Sequence, residues 1–137
     1  MRVRSHLDGT APDHTDPDTI FVFGSNATGE HFGGAARVAH EFFGAKWGHV
    51  SGLCGQSYAI STMSLREGDP EPAPLKGQIK TFLTLVKAMP NHEFFLTRVG
   101  CGIAGRRDED VVKMFGPALP NINYPHIWVP YLEIPTS

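Results

Sequence analysis

Several classes of protein are excluded by what this sequence lacks. Only two cysteines, Cys54 and Cys101, occur in 137 residues, without a CxxC pair, so we expect a reducing compartment and neither a disulfide framework nor a zinc site. No apolar run approaches the ~20 residues that a membrane span requires, and the first residues lack the apolar core of a signal peptide. These absences predict a cytoplasmic protein that makes no contact with membranes.

The charged residues do not form a basic cluster either. With 12 basic and 14 acidic residues, the net charge is −2, so we expect no extended nucleic-acid surface. Seven histidines are present, but none shows HxxxH or a similar ligand spacing. We therefore predict neither a metal nor another resident cofactor.

What remains is the composition of one globular domain, with 41% apolar and 19% charged residues. Residues 1–19 are polar and rich in turns, so we interpret them as an N-terminal arm or edge segment that precedes a single domain at 20–137. Apolar periodicity predicts strands that alternate with helices, which is typical of an α/β fold with a largely parallel sheet covered on both faces. The predicted strands are 20–23, 58–62, 94–99 and 126–129, and the predicted helices are 34–43, 75–89 and 108–115.

Two of the predicted strands run into glycine-rich turns. The strand at 20–23 ends at Gly24-Ser25-Asn26, and Gly33-Gly34 then opens a helix; the strand at 94–99 ends in residues 100–105. The N-terminus of a helix carries unpaired N–H groups and partial positive charge, and glycine lets the backbone approach a phosphate closely. Ligands of open α/β sheets bind at the carboxyl ends of the strands. If the two strands are neighbours, the two turns form facing walls of a nucleotide cleft.

Three motifs in order carry a resemblance to a known family. FGSNATGEHFGGAARVA, FGAKWGHVSGLCGQSYAIST and LTRVGCGIAG resemble the macro-domain-like proteins of bacteria and phages. The resemblance implies a macro-domain-like, three-layer α/β/α fold with a mixed, mostly parallel central sheet. It also implies binding of ADP-ribose or a related NAD-derived nucleotide, free or on an ADP-ribosylated macromolecule, and some members of the superfamily hydrolyse ADP-ribosyl bonds.

The resemblance also assigns roles by position. Asn26 is similar to the asparagine that contacts the distal ribose, and Asp18 is the nearest match to the aspartate that holds adenine. Ser61 departs from the pattern, which has proline there. The implied ligand-binding residues are Gly24, Ser25, Asn26, Gly33, Gly34 and Ala35 in the first motif and Gly100, Cys101, Gly102, Ile103, Ala104 and Gly105 in the last.

Three functions stay open at this point. In the first, an ADP-ribosyl bond is hydrolysed at the distal ribose, with Asn26 positioning the sugar and Glu30 or His31 activating water. In the second, an NAD-derived nucleotide or signalling molecule is captured without turnover. In the third, Cys101 acts as a nucleophile with His31 or His49 as its base. Each residue also has a purely structural interpretation: the glycines as tight turns, Asn26 as the cap of its own turn.

Overall fold

A computed structural model describes residues 1–135, so the last two residues of the predicted domain at 20–137 lie outside the described part. The fold is α/β, with one mixed sheet of six strands in the order β1-β6-β5-β2-β4-β3. Only the β3–β4 pair among these strands is antiparallel. The strands are β1 (Arg4–His6), β2 (Thr19–Asn26), β3 (Gly52–Cys54), β4 (Ser57–Met63), β5 (Glu93–Leu96) and β6 (Ile122–Pro125).

Helices cover both faces of this sheet. The alternation of side chains along β2 sends Ile20 and Val22 into one core and Phe21 and Phe23 into the other. Both sets are buried, as expected for a central strand of a largely parallel sheet. On the first face lie α2 (Leu75–Ala88), α3 (Asp108–Phe115) and a 3₁₀ helix (His126–Tyr131), and on the second lies α1 (Gly34–Phe42).

The predicted last strand is wrong. The strand is Ile122–Pro125, and the apolar run at 126–129 belongs to the 3₁₀ helix. Trp128 is fully buried there, packs against Phe115 and donates its indole N–H to Asp108 Oδ1 at 2.6 Å. A short apolar run does not distinguish a strand from a helical turn, and the tertiary contacts of Trp128 decide between them.

The predicted strand at 94–99 is too long at its carboxyl end. β5 ends at Leu96, and the backbone N–H and the hydroxyl of Thr97 still donate to the carbonyl of Val22 in β2. The chain then turns, with the N–H of Val99 donating to the carbonyl of Thr97 at 2.8 Å. Residues 98 and 99 thus leave the sheet and extend the second glycine-rich loop.

The segment before residue 20 is joined to the sheet through β1. Its His6 ring stacks on Phe95 with 3.8 Å between ring centroids, and His6 Nε2 lies 2.7 Å from the carbonyl oxygen of Leu96. These contacts bring residues 7–11 to the edge at which the parallel strands end. In the described residues no helix has the length and hydrophobicity required to traverse a lipid bilayer.

Candidate functional site

The two glycine-rich loops face each other across one cleft. β2 and β5 are neighbouring parallel strands, with Phe21 opposite Phe95, so their carboxyl ends meet at one edge of the sheet. The cleft between the loops has a volume of about 390 Å³, within the range of small-molecule sites. It is lined by residues 24–26, 30, 32–36, 62, 63, 65, 97–100 and 102–104.

The cleft collects most of the predicted ligand-binding residues. Those that line it are Gly24, Ser25, Asn26, Gly33, Gly34, Ala35, Gly100, Gly102, Ile103 and Ala104. Cys101 and Gly105 belong to the same loop but are not among the lining residues, and neither is His31. Of the three predicted catalytic residues, the cleft therefore holds Asn26 and Glu30.

Both walls contain residues whose backbone N–H groups have no acceptor in the described chain. At the start of α1 the first helical hydrogen bond runs from the N–H of Arg37 to the carbonyl of Gly33, which leaves the N–H groups of residues 34–36 without a helical acceptor. In the facing loop, no hydrogen bond within the described residues uses the N–H groups of residues 102–104. Unpaired N–H groups on two sides of a cleft favour an anionic ligand.

The second loop is held in shape by its own backbone. The N–H groups of Gly105 and Arg106 donate to the carbonyls of Gly102 and Gly100, each at 2.9 Å. Gly100 has a φ of +79°, and a Cβ there would lie 3.2 Å from Cδ of Arg106. Glycine at this position therefore allows both the turn and the close approach of the arginine side chain.

Apolar side chains form the rims of the cleft. The side chain of Ile103 is 92% exposed on one loop and that of Phe32 is 65% exposed on the other. Phe32 meets Trp47 edge to face at 4.8 Å between ring centroids. Such rims can pack on the sugar or base of a bound nucleotide.

A second cavity of about 350 Å³ continues the cleft towards β1. The two share Gly34, Ala35, Thr97 and Arg98, and the second also includes Asp8, which follows the end of β1. Thr97, Arg98 and Asp8 were not predicted from the sequence, although each follows a strand that ends at this edge. Further lining residues are His6, Gly9, Thr10, Ala11, Phe21, Val38 and Pro125.

Asp18 does not reach either cavity. It precedes β2, whereas the cleft begins at Gly24 near the other end of that strand, six residues away along the chain. At about 3.3 Å per residue this separation is about 20 Å. Asp18 is therefore absent from the lining of both cavities, and its match to an adenine-holding aspartate gains no support from the structure.

Arg98 stands between the two cavities in a network of charges. Its guanidinium donates two hydrogen bonds to Asp108, at 2.9 and 2.7 Å, and lies 3.8 Å from Asp8. Hydrogen bonding to Arg98 lowers the pKa of Asp108 to about 2, with the indole of Trp128 helping and partial burial opposing the shift. This network connects β1, the second loop and α3.

Asn26 caps its own loop. It is buried, its amide oxygen accepts the N–H groups of Thr28 and Glu30, and its Nδ2 donates to the carbonyl of Glu30 at 2.7 Å. Asn26 therefore has the structural role of capping its own turn, as one of its two interpretations predicts. The second N–H of the amide makes no hydrogen bond within residues 1–135, and Asn26 lines the cleft.

Glu30 is engaged in a bidentate ion pair. Its carboxylate accepts two hydrogen bonds from Arg66, at 2.6 and 2.7 Å, and one from the hydroxyl of Thr28 at 2.5 Å. These hydrogen bonds, that of Arg66 first, lower the pKa of Glu30 to about 2. A carboxylate with so low a pKa is a weak general base at neutral pH.

His31 is buried beneath the loop that follows α1. Its side chain is 2% exposed, its Nε2 lies 2.8 Å from the carbonyl oxygen of Lys46, and its ring packs edge to face on Phe23 and Trp47. Burial lowers the pKa of His31 below its ordinary value. The ring thus packs in the interior, and His31 is not among the residues that line the cleft.

Cys101 lacks the environment of a nucleophile. Burial, with the nearby carboxylate of Asp108 as a second cause, raises the pKa of this thiol to about 12. Its S–H points to the carbonyl of Val99, 3.7 Å from Sγ. Reactive cysteines require a lowered pKa, so this environment opposes covalent catalysis.

The hydrogen bonds of Ser61 give a reason why position 61 differs from the proline in the motif that the sequence resembles. Its backbone N–H donates to Oε1 of Gln78 at 2.8 Å, and Nε2 of Gln78 donates back to the carbonyl of Ser61 at 2.8 Å. Proline has no N–H and would break this pair, so serine here fastens β4 to α2.

The chain gives no significant match to a protein-family model, to a curated protein or to a solved structure. Nor do residues 1–135 contain a cluster of three or more histidine, cysteine, aspartate or glutamate side chains placed to hold a metal ion. The geometry of the cleft is therefore the basis for a functional proposal.

Proposed function

We propose that this protein captures an ADP-ribose-type nucleotide, with its diphosphate in the cleft between the Asn26–Gly34 loop and the Gly100–Gly105 loop. One observation carries the proposal: two sets of residues with unpaired backbone N–H groups, 34–36 and 102–104, line the same cleft. A diphosphate offers acceptor oxygens on both sides, so one ligand can satisfy both sets.

The residues on either side of the diphosphate position indicate where the ribose and the base would bind. On one side, the remaining N–H of Asn26 donates to a hydroxyl of the distal ribose. On the other side, the second cavity takes the base, where the carboxylate of Asp8 accepts a hydrogen bond from an exocyclic amine. Asp8, which follows β1, thus takes the role that the resemblance assigned to Asp18.

Capture is placed ahead of hydrolysis because the candidate bases are poorly arranged for water activation. Glu30 is held by Arg66 with a pKa of about 2, and His31 is buried outside the cleft lining. A cysteine mechanism is opposed by the pKa of about 12 at Cys101. The proposal includes a macro-domain-like fold with a three-layer α/β/α arrangement.

The test is a thermal-shift panel with ADP-ribose, NAD, AMP and cyclic nucleotides. A ligand at 100 times its Kd stabilises the folded state by about 2.7 kcal/mol, so ADP-ribose should raise the Tm clearly. No shift with any member of the panel overturns the proposal. Release of ADP-ribose from an ADP-ribosylated substrate would instead assign hydrolysis.

A matched pair of variants ties the shift to the cleft. A Cβ at Gly102 or at Gly77 meets no atom within 4 Å, and neither glycine has a positive φ. Gly102 lines the cleft, whereas Gly77 lies in α2. Gly102→Val should therefore abolish the ADP-ribose shift, and Gly77→Val should retain it.

A further inference from the structure

Four of the five lysines of this chain line one groove on the opposite side of the fold from α1. Lys76, Lys80 and Lys87 lie on α2 within about 40° of one another around the helix axis, along about 16 Å of its length. Lys113 faces them from α3, which packs against α2. All four side chains are exposed.

The floor of this groove is apolar. It has a volume of about 320 Å³, and half-buried Leu83, Met114 and Leu119 lie between the lysines, with buried Phe115 beneath them. Leu83 falls in the same stripe of α2 as the lysines, four residues before Lys87. The groove therefore combines a hydrophobic strip with positive edges.

The lysines form no ion pairs in the described chain. None of the ion pairs within residues 1–135 involves Lys76, Lys80, Lys87 or Lys113. Lys76 and Lys80 are four residues apart on one helix, a spacing at which like charges destabilise the helix. An acidic partner would relieve this repulsion, and the surface is complementary to such a partner.

We propose that this groove, which we call the lysine groove, binds an acidic amphipathic segment of a partner protein. Acidic side chains of the segment pair with the four lysines, and its apolar side chains lie on Leu83 and Met114, as in helix-in-groove recognition. Nucleic acid fits less well, because the groove has no exposed aromatic ring for base stacking and its floor is apolar. The lysine groove shares no lining residue with the nucleotide cleft, so the two can be tested separately.

The experiment selects peptides from a random 12-residue display library on the full chain, with counter-selection on Lys80→Glu/Lys87→Glu. Selected peptides should be enriched in aspartate and glutamate alternating with large apolar residues. Fluorescence anisotropy then measures one selected peptide, its Glu→Gln and Asp→Asn counterpart, and a 12-nucleotide single-stranded DNA. The matched control is Lys46→Glu, an exposed lysine outside the lysine groove.

We expect each of Lys80→Glu and Lys87→Glu to weaken peptide binding by about three- to tenfold, and Lys46→Glu to leave it unchanged. The amide counterpart of the peptide should bind at least tenfold more weakly than the acidic peptide. The proposal is overturned if selection yields no acidic enrichment, if all three lysine variants bind alike, or if the DNA binds more tightly than the peptide. ADP-ribose binding should be the same in the lysine variants as in the unaltered chain.

Discussion

Gly29 lies where the loop that carries Asn26 and Glu30 contacts the loop after α1. Its carbonyl accepts the N–H of Gly48 at 2.8 Å, and its φ is +69°. A Cβ at this position would lie 2.4 Å from the carbonyl carbon of Gly48 and 2.7 Å from the backbone nitrogen of His49. Both neighbours are backbone atoms, so neither can move aside as a flexible side chain would.

Two costs therefore add in Gly29→Ala. The left-handed backbone conformation costs a residue with Cβ about 1–2 kcal/mol, and forcing the two loops apart costs about 1–3 kcal/mol more. The total loss of unfolding free energy should be about 2–5 kcal/mol. Gly9→Ala supplies the control, because Gly9 has a similar φ of +78° but open space around its Cβ, so only the first cost applies.

Urea denaturation followed by tryptophan fluorescence measures both variants. Gly29→Ala should lose at least 1 kcal/mol more than Gly9→Ala, and it should also weaken ADP-ribose binding because the displaced loop forms a wall of the cleft. Equal losses in the two variants would refute the close packing of the Gly29 and Gly48 backbones.

Three further predictions concern buried or partly buried groups. Burial lowers the pKa of His31 below its ordinary 6.5, so the unfolded chain takes up the proton at a higher pH than the folded chain. The contribution of His31 to the free energy of unfolding should therefore be complete above about pH 6.5 and decrease below it. Urea titrations at pH 7.5 and 5.5 should show a smaller pH dependence of stability in His31→Phe. Alkylation of Cys101 by iodoacetamide at pH 8 should be at least tenfold slower in the folded chain than in urea, because its pKa is about 12; equal rates would contradict this. Trp128→Phe should cost about 1.5–3 kcal/mol through the lost bond to Asp108, measured by urea denaturation, whereas Ile127→Ala, at an exposed position, should cost little.

The local patterns of the sequence predict much of this fold. The apolar strand before Gly24 and the 3.6-residue periodicity from Leu75 to Ala88 are strong signals, and both elements are present. β6 was missed because its two inward side chains, Ile122 and Tyr124, alternate with asparagine and end at a proline. Only the pairing of β6 with β1 and β5 identifies it as a strand.

The cleft was predictable to the extent that it depends on strand ends. The glycine turns that follow β2 and β5 meet because these strands are neighbours. The carboxyl ends of neighbouring parallel strands lie at the same edge of a sheet, where ligands of such folds bind. The carboxylate of Asp8 was missed because β1 is three residues long and its place in the sheet depends on a strand more than 100 residues later.

The chemistry of the individual side chains was the least predictable part. The pKa of Glu30 depends on Arg66, 36 residues away, and the burial of His31 depends on how the loop containing Lys46 and Trp47 folds over it. Nothing in the sequence near Glu30 or His31 reports these partners. Their contacts arise from the tertiary arrangement of loops, on which local pattern has no bearing.

The most direct measurement of the central claim is a titration of ¹⁵N-labelled protein with ADP-ribose, followed by amide resonances. The amides of residues 34–36 and 102–104 should shift together, with one common Kd, while those of the lysine groove stay in place. Shifts confined to a single loop, or absent from both, would contradict the binding of a diphosphate between them.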